Sequence, residues 1–135
     1  MALTVEDVNA KLQSIWNASN ATCLELSTTH AVAQISLEGL SLRPGGFIPG
    51  PTQFAAADVV LWFLVFGAID RVEPMAMTSE LSVRFLRPGI GTRLFARASL
   101  DRAGRTSVVG TVRVWTDDNE SKPCSAAQGT YALPH

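Results

Sequence analysis

Apolar residues near the start of the chain recur at helical spacing. Val5, Val8, Leu12, Ile15 and Trp16 mark one face of an amphipathic helix. Thr4 stands ready to cap it, with Asp7 three residues on in a variant of the capping box, and Asn17, Ser19 and Asn20 end it. Thr22 to Ser27 and Ala31 to Leu37 then suit two short strands, and the polar turn Thr28-Thr29-His30 between them predicts a hairpin. The next stretch, Gly39 to Pro51, is too rich in glycine and proline for regular structure. Pro51 suits the first position of a helix, where its missing N–H would be unpaired anyway. That helix is predicted to run to about Phe66 or Gly67 and is apolar on nearly every side, the pattern of a helix buried all round.

Beyond it the period changes to two. Met77 to Leu86, Arg93 to Asp101, Ser107 to Trp115 and Ser125 to Leu133 each suit a strand. Leu81, Val83 and Phe85 alternate with Ser82 and Arg84, and Leu94, Ala96, Ala98 and Leu100 alternate with Arg97 and Ser99. Turns at Arg102-Ala103-Gly104-Arg105 and Asp117-Asp118-Asn119-Glu120 join the last three strands into an antiparallel meander. The predicted class is α+β: a curved antiparallel sheet of about six strands wrapped around one long central apolar helix, plus an N-terminal helix. One sheet covers only one side of such a helix, so a second protomer is the natural cover for the rest, and a homodimer is expected on that ground alone.

Composition narrows the picture. With 135 residues, 47% hydrophobic and 17% charged, the chain is expected to form one domain over residues 1–135. A net charge of -1 leaves no basic footprint for nucleic acid. The apolar run Val59 to Ile69 reads as too short for a membrane span, which needs about 20 apolar residues, so a core helix is expected and no membrane partner. The first residues carry neither a basic segment nor a long apolar stretch. Cys23 and Cys124 form no metal or redox motif. A cytoplasmic protein with two reduced thiols is the expectation.

Asp58 is the most informative residue. It sits in the second turn of an apolar helix, where an unpartnered carboxylate would be costly. It is either tied to a neighbouring loop or faces a cleft as a general base or nucleophile. Gly50 lies at the start of the same helix, where free N–H groups and the helix dipole suit a developing oxyanion; alternatively Gly45, Gly46 and Gly50 only permit a tight turn. Eight residues of helix separate Gly50 from Asp58, roughly 12 Å. That is too far to serve one carbonyl, but two antiparallel helices across a dimer would bring one residue beside the other.

The segment Gly46-Phe47-Ile48-Pro49-Gly50-Pro51-Thr52-Gln53-Phe54-Ala55-Ala56-Ala57-Asp58 resembles the loop and helix of hotdog-fold acyl-CoA thioesterases, closest to the phenylacetic-acid-degradation (PaaI-type) branch. Ser82-Val83-Arg84-Phe85-Leu86-Arg87-Pro88-Gly89 is similar to that family's next strand, and Gly104-Arg105 and Gly129-Thr130-Tyr131 fit the ends of its last strands. The resemblance covers about residues 20 to 133. It implies metal-independent hydrolysis of a small, medium or aromatic acyl-CoA, with CoA as part of the substrate and no further cofactor, at a site shared between protomers of a homodimer or homotetramer. Asp58 would be the catalytic carboxylate, Gly50 the oxyanion donor, and Thr78 the hydroxyl that positions water. Three positions depart from the family pattern. Pro49 stands where the family has a signature histidine, Pro51 where it has a second glycine, and Arg43 where a polar loop residue, often Asn, is expected; Arg43 either orients a substrate group or only contacts solvent.

Arginines outnumber lysines nine to two. Arg84, Arg87 and Arg93 gather round the Arg-Pro-Gly segment, as CoA phosphate contacts or as an ordinary solvated face. Trp62 is expected to touch substrate, with Phe63 and Phe66 either beside it or in the core. His30 and His135 are not near Asp58 in sequence, which disfavours a histidine-dependent reaction on this fold. No Ser-His-Asp, phosphate-loop or metal motif is present. A non-catalytic acyl-CoA binding or regulatory protein is the rival expectation.

Overall fold

The computed structural model describes residues 1–17 and 19–134; His135 lies outside them. Helix α1 spans Val5–Ile15, β1 Ala21–Leu26 and β2 His30–Ile35, followed by α2 at Gly50–Ile69, β3 at Met77–Phe85, β4 at Leu94–Ala103, β5 at Ser107–Thr116 and β6 at Ser125–Ala132. The strands form one curved antiparallel sheet in the order β1-β2-β4-β5-β6-β3. This is the expected α+β class, and α2 touches all six strands.

The capping box at α1 is complete. Thr4 Oγ1 accepts the Asp7 N–H at 3.1 Å, and Asp7 Oδ2 accepts the Thr4 N–H at 3.1 Å. Val8 and Leu12 are buried as their spacing predicted, whereas Ile15 and Trp16 at the same face are exposed. Asn9 fastens α1 to β1: its amide donates to Cys23 O and accepts the Cys23 N–H, both at 2.9 Å, beside a bulge between Cys23 and Glu25. The Cys23 thiol, buried there, is pushed up to about 12. At the far end of α2, the Asp70 carboxylate accepts the N–H groups of Ala2 and Leu3, at 3.1 and 2.9 Å, which lowers its pKa.

The sequence expectation for α2 needs correction. Helix α2 runs 20 residues to Ile69, not to Phe66 or Gly67, and is long and apolar enough to cross a membrane. Burial, not shortness, shows it to be a core helix: Val60, Leu61, Phe63, Leu64, Val65 and Phe66 are at most 2% exposed. Its fit to the sheet is close, since a Cβ at Gly67 would lie 2.1 Å from the Ser27 carbonyl oxygen. The last three strands form the expected meander, and β3, whose partner the sequence left open, pairs with β6 at the far edge, with Thr78 opposite Tyr131 and Phe85 opposite Ser125.

The two edges of the sheet differ. α1 and the Asn9 amide cover β1, while β3 is exposed along most of its length, including Met77 and Phe85. Helix α2 is also unevenly covered. Pro51, Phe54 and Ala55 are exposed, and Asp58, Val59 and Trp62 are half-buried. Their spacing of three and four residues makes one stripe down the helix, apolar except for Asp58.

Candidate active site

Asp58 projects from this stripe and is held from the sheet. Thr78 Oγ1 donates to Asp58 Oδ1 at 2.6 Å, and Tyr131 Oη donates to the same oxygen at 2.7 Å. The tyrosine also lies 3.0 Å from the Asp58 carbonyl oxygen, so its single hydrogen is shared. The register explains the convergence, because Thr78 on β3 and Tyr131 on β6 are direct partners next to a bulge between Thr78 and Glu80. Burial raises the Tyr131 phenol well above its ordinary value, partly offset by the Thr78 hydroxyl and reinforced by the Asp58 charge. Tyr131 is therefore a fixed donor at any physiological pH. Both donors meet Oδ1, which leaves Oδ2 without a partner among the described residues.

The carboxylate opens into a cavity of about 430 Å³ whose walls include Ala55, Val59, Trp62, Ile35, Ala76 and Trp16. That volume is in the range of small-molecule sites. Two larger clefts, of about 530 and 580 Å³, lie elsewhere and contain neither Asp58 nor its donors, so chemistry rather than size selects the cavity. Trp62 packs on Phe66 with ring centroids 4.9 Å apart, and its indole N–H is buried without a hydrogen-bond acceptor. Phe63 and Phe66 are buried in the core.

The other expected site residues lie outside this cavity. Gly50 opens α2, where its N–H has no intrahelical acceptor, and a Cβ there would meet the Phe85 ring at 3.2 Å. Pro49 is the N-cap, in extended backbone. The loop before it is fixed by Gln53, whose amide donates to Ile48 O at 3.1 Å. Arg43 is held in that loop by its backbone, bonded to Phe47 across a tight turn in which Gly45 and Gly46 have φ of 92° and 78°. Arg84 lines the outer cleft of about 530 Å³ with Arg97 and Arg113. Arg87 donates to Pro123 O, and Arg93 lies over the Phe95 ring.

His30 sits between Ser27 Oγ at 2.7 Å and Glu25 Oε1 at 3.1 Å. This looks like a hydrolytic triad, but Ser27 Oγ also accepts the N–H groups of Thr29 and His30, so its oxygen is committed to the turn. Among the described residues, no group of three His, Cys, Asp or Glu side chains could hold a metal.

Sequence reasoning missed Tyr131 and the part Trp16 plays in the cavity wall. One signal for Tyr131 was available. It is the only tyrosine in the chain, and it follows Ser125, Ala127 and Gly129 on the inward-facing positions of β6. A phenol in such a row needs a buried hydrogen-bond partner.

A curved antiparallel sheet wrapped around one long helix, with a carboxylate on that helix, defines a protein of the hotdog-fold class. Residues 45–122, more than half the chain, match the family described as the Thioesterase superfamily, and the chain belongs to that superfamily. No curated protein sequence matches it significantly. Among solved structures, a Silicibacter protein described as a candidate thioesterase is 27% identical at a TM-score of 0.86, covering 100% of this chain and 94% of the other. A variant of the phenylacetic acid degradation protein PaaI from Thermus thermophilus is 20% identical at 0.70, covering 90% and 99%. A Streptococcus mutans protein bound to acetyl CoA is 20% identical at 0.71, covering 86% and 90%.

Proposed function

We propose that this protein hydrolyses a small, medium or aromatic acyl-CoA to the free acid and CoA, with Asp58 as the catalytic carboxylate. The observation that carries the reading is Asp58 itself. Its Oδ1 is held by Thr78 and Tyr131, and its Oδ2 is free beside an apolar cavity. Oδ2 would take a proton from a water molecule as that water attacks the thioester carbonyl. A direct attack by Oδ2 would instead expel CoA thiolate and form an acyl-enzyme anhydride; water opening that anhydride at the Asp58 carbonyl would carry solvent oxygen into Asp58 in single-turnover reactions in labelled water.

The developing oxyanion needs a donor. Gly50 of the same helix is about 12 Å away along the axis, so the donor is the Gly50 N–H of a second copy. The open β3 edge, the uncovered stripe of α2 and the exposed Phe54, Met77 and Phe85 support a two-fold dimer with antiparallel helices. Such a dimer also takes the site out of bulk water, which strengthens each electrostatic contact there.

A panel of acyl-CoA esters, read by thiol release, tests the reading. Asp58→Asn keeps the shape but removes the base. Hydrolysis should fall by roughly 10²- to 10⁴-fold, with the sedimenting species unchanged. Full activity in that variant would refute the mechanism, and binding without turnover across the panel would favour a non-catalytic acyl-CoA binder.

A further inference from the structure

The N-terminal helix takes part in the site without touching the catalytic carboxylate. Trp16, the C-cap of α1, is 52% exposed, although it belongs to the helix's apolar face. Its indole meets Trp62 edge-on, with ring centroids 6.2 Å apart and planes at 67°. Both rings line the Asp58 cavity. Trp62 lies one turn beyond Asp58, about 6 Å along the axis. Ala55, one turn before Asp58, lines the cavity as well, so along α2 the carboxylate stands between Ala55 and Trp62, with the two indoles on its C-terminal side.

We propose that Trp16 is a specificity-determining residue that sets the size limit on the acyl group; this rests on the reading of the Asp58 cavity as the acyl site. The limit follows from how firmly α1 is held. Val8 and Leu12 are buried at 1% and 5% exposure. The Asn9 amide pairs with the Cys23 backbone, and Asp70 holds the N–H groups of Ala2 and Leu3. The Trp16 backbone N–H donates to Leu12 O at 2.8 Å, which holds the residue's backbone to the last turn of α1. Anchored at its start and along its buried face, α1 presents Trp16 as a fixed wall. A short chain or a single flat ring fits between Asp58 and the indoles. A longer chain meets Trp16.

The test compares wild type, Trp16→Phe and Trp16→Ala on straight-chain esters from acetyl-CoA to lauroyl-CoA, read as ratios of kcat/KM. Each methylene that leaves water for the space the indole vacates is worth about a fourfold gain in binding. Opening the end wall should therefore raise the decanoyl-to-butyryl ratio of Trp16→Ala tenfold or more, with Trp16→Phe between it and wild type. A uniform change across all chain lengths would overturn the proposal. Trp16→Leu replaces the alanine variant if that fails to fold. Dissociation constants for non-hydrolysable thioether analogues of the same chain lengths keep the two readings apart. If wild type hydrolyses nothing but shows a length cut-off in binding that Trp16→Ala relaxes, the wall stands and the hydrolytic reading falls. Equal binding at all lengths, or no binding at all, overturns the wall.

Discussion

Tyr131→Phe isolates one hydrogen bond at the centre of the site. The substitution keeps the ring, which is 95% covered, and removes the hydroxyl that donates to Asp58 Oδ1 at 2.7 Å. A hydrogen bond to a charged group is worth about 1.5–3 kcal/mol. Asp58 is half-buried, so water can partly replace the lost donor and the low end of that range applies. Thr78 still holds Oδ1 at 2.6 Å. If the loss falls on the transition state, kcat drops on the order of tenfold. KM should hardly move, because a positioning role for Tyr131 acts through the carboxylate rather than on the bound thioester. Stability should fall by about 1 kcal/mol, a few degrees in Tm for a chain of this size.

The assay is steady-state acyl-CoA hydrolysis beside a thermal melt, for Tyr131→Phe, Thr78→Ala and the double variant. Both side chains donate to one oxygen, so their losses should couple, with the double variant slower than the product of the single effects. Tyr131→Phe at wild-type kcat, in a protein that Asp58→Asn inactivates, would refute the positioning role. A rise in KM at constant kcat would refute it too, by making Tyr131 a substrate contact.

Two further outcomes follow from the scaffold. Gly67→Ala places a methyl 2.1 Å from the Ser27 carbonyl oxygen, backbone against backbone, so the hairpin must move away from α2; about 2–3 kcal/mol of stability should be lost, seen as a lower urea midpoint at unchanged slope, and an unchanged midpoint would contradict the packing. Glu120 bonds to Arg97 Nε at 2.7 Å and Arg113 Nη2 at 2.8 Å, and Arg97 above all holds its pKa below the ordinary value of 4.5. The folded value is the lower one, so the stabilisation is complete above the unfolded pKa and is lost as pH falls through the folded one. The Tm of wild type should therefore fall more steeply than that of Glu120→Gln on acidification below about pH 4.5, and parallel curves would show that the cluster contributes nothing.

The elements were legible in the sequence because each has a local cause. Period-two alternation gives the strands, Pro51 and the apolar run give α2, and Thr4 with Asp7 gives the start of α1. The place of β3 was not legible, since alternation says which face a residue takes but not which strand lies beside it. Its pairing with β6 is a long-range choice, and it is what puts Thr78 opposite Tyr131. Asp58 stood out as a lone acid among apolar neighbours. Tyr131 did not, because its value depends on register with a strand some fifty residues earlier in the chain. The part of Trp16 was hidden for a related reason: helical spacing places it on the apolar face of α1 but does not say that this face ends against the Asp58 cavity. Arg84 and Arg87 were grouped by adjacency in sequence, whereas the strand sends Arg84 to the outer cleft and leaves Arg87 on the Pro123 carbonyl.

The unfinished parts of this fold coincide with its proposed chemistry. One sheet edge is covered by α1, and the other, β3, is left open. The uncovered stripe of α2 carries Asp58, and β3 carries the threonine that holds it. Gly50 is tied to the same edge, because its Cα packs so closely on the Phe85 ring of β3 that an added Cβ would lie 3.2 Å from it. A Cβ at position 50 would require that exposed ring to shift by a few tenths of an ångström. Strand β3 thus holds the proposed catalytic carboxylate through Thr78 at one end and packs Phe85 on Gly50, the proposed oxyanion donor, at the other. A two-fold axis near its middle would exchange those ends and bring the carboxylate end of one copy to the donor end of the other. The strand whose outer edge one chain leaves open is thus the element about which two chains would complete a site.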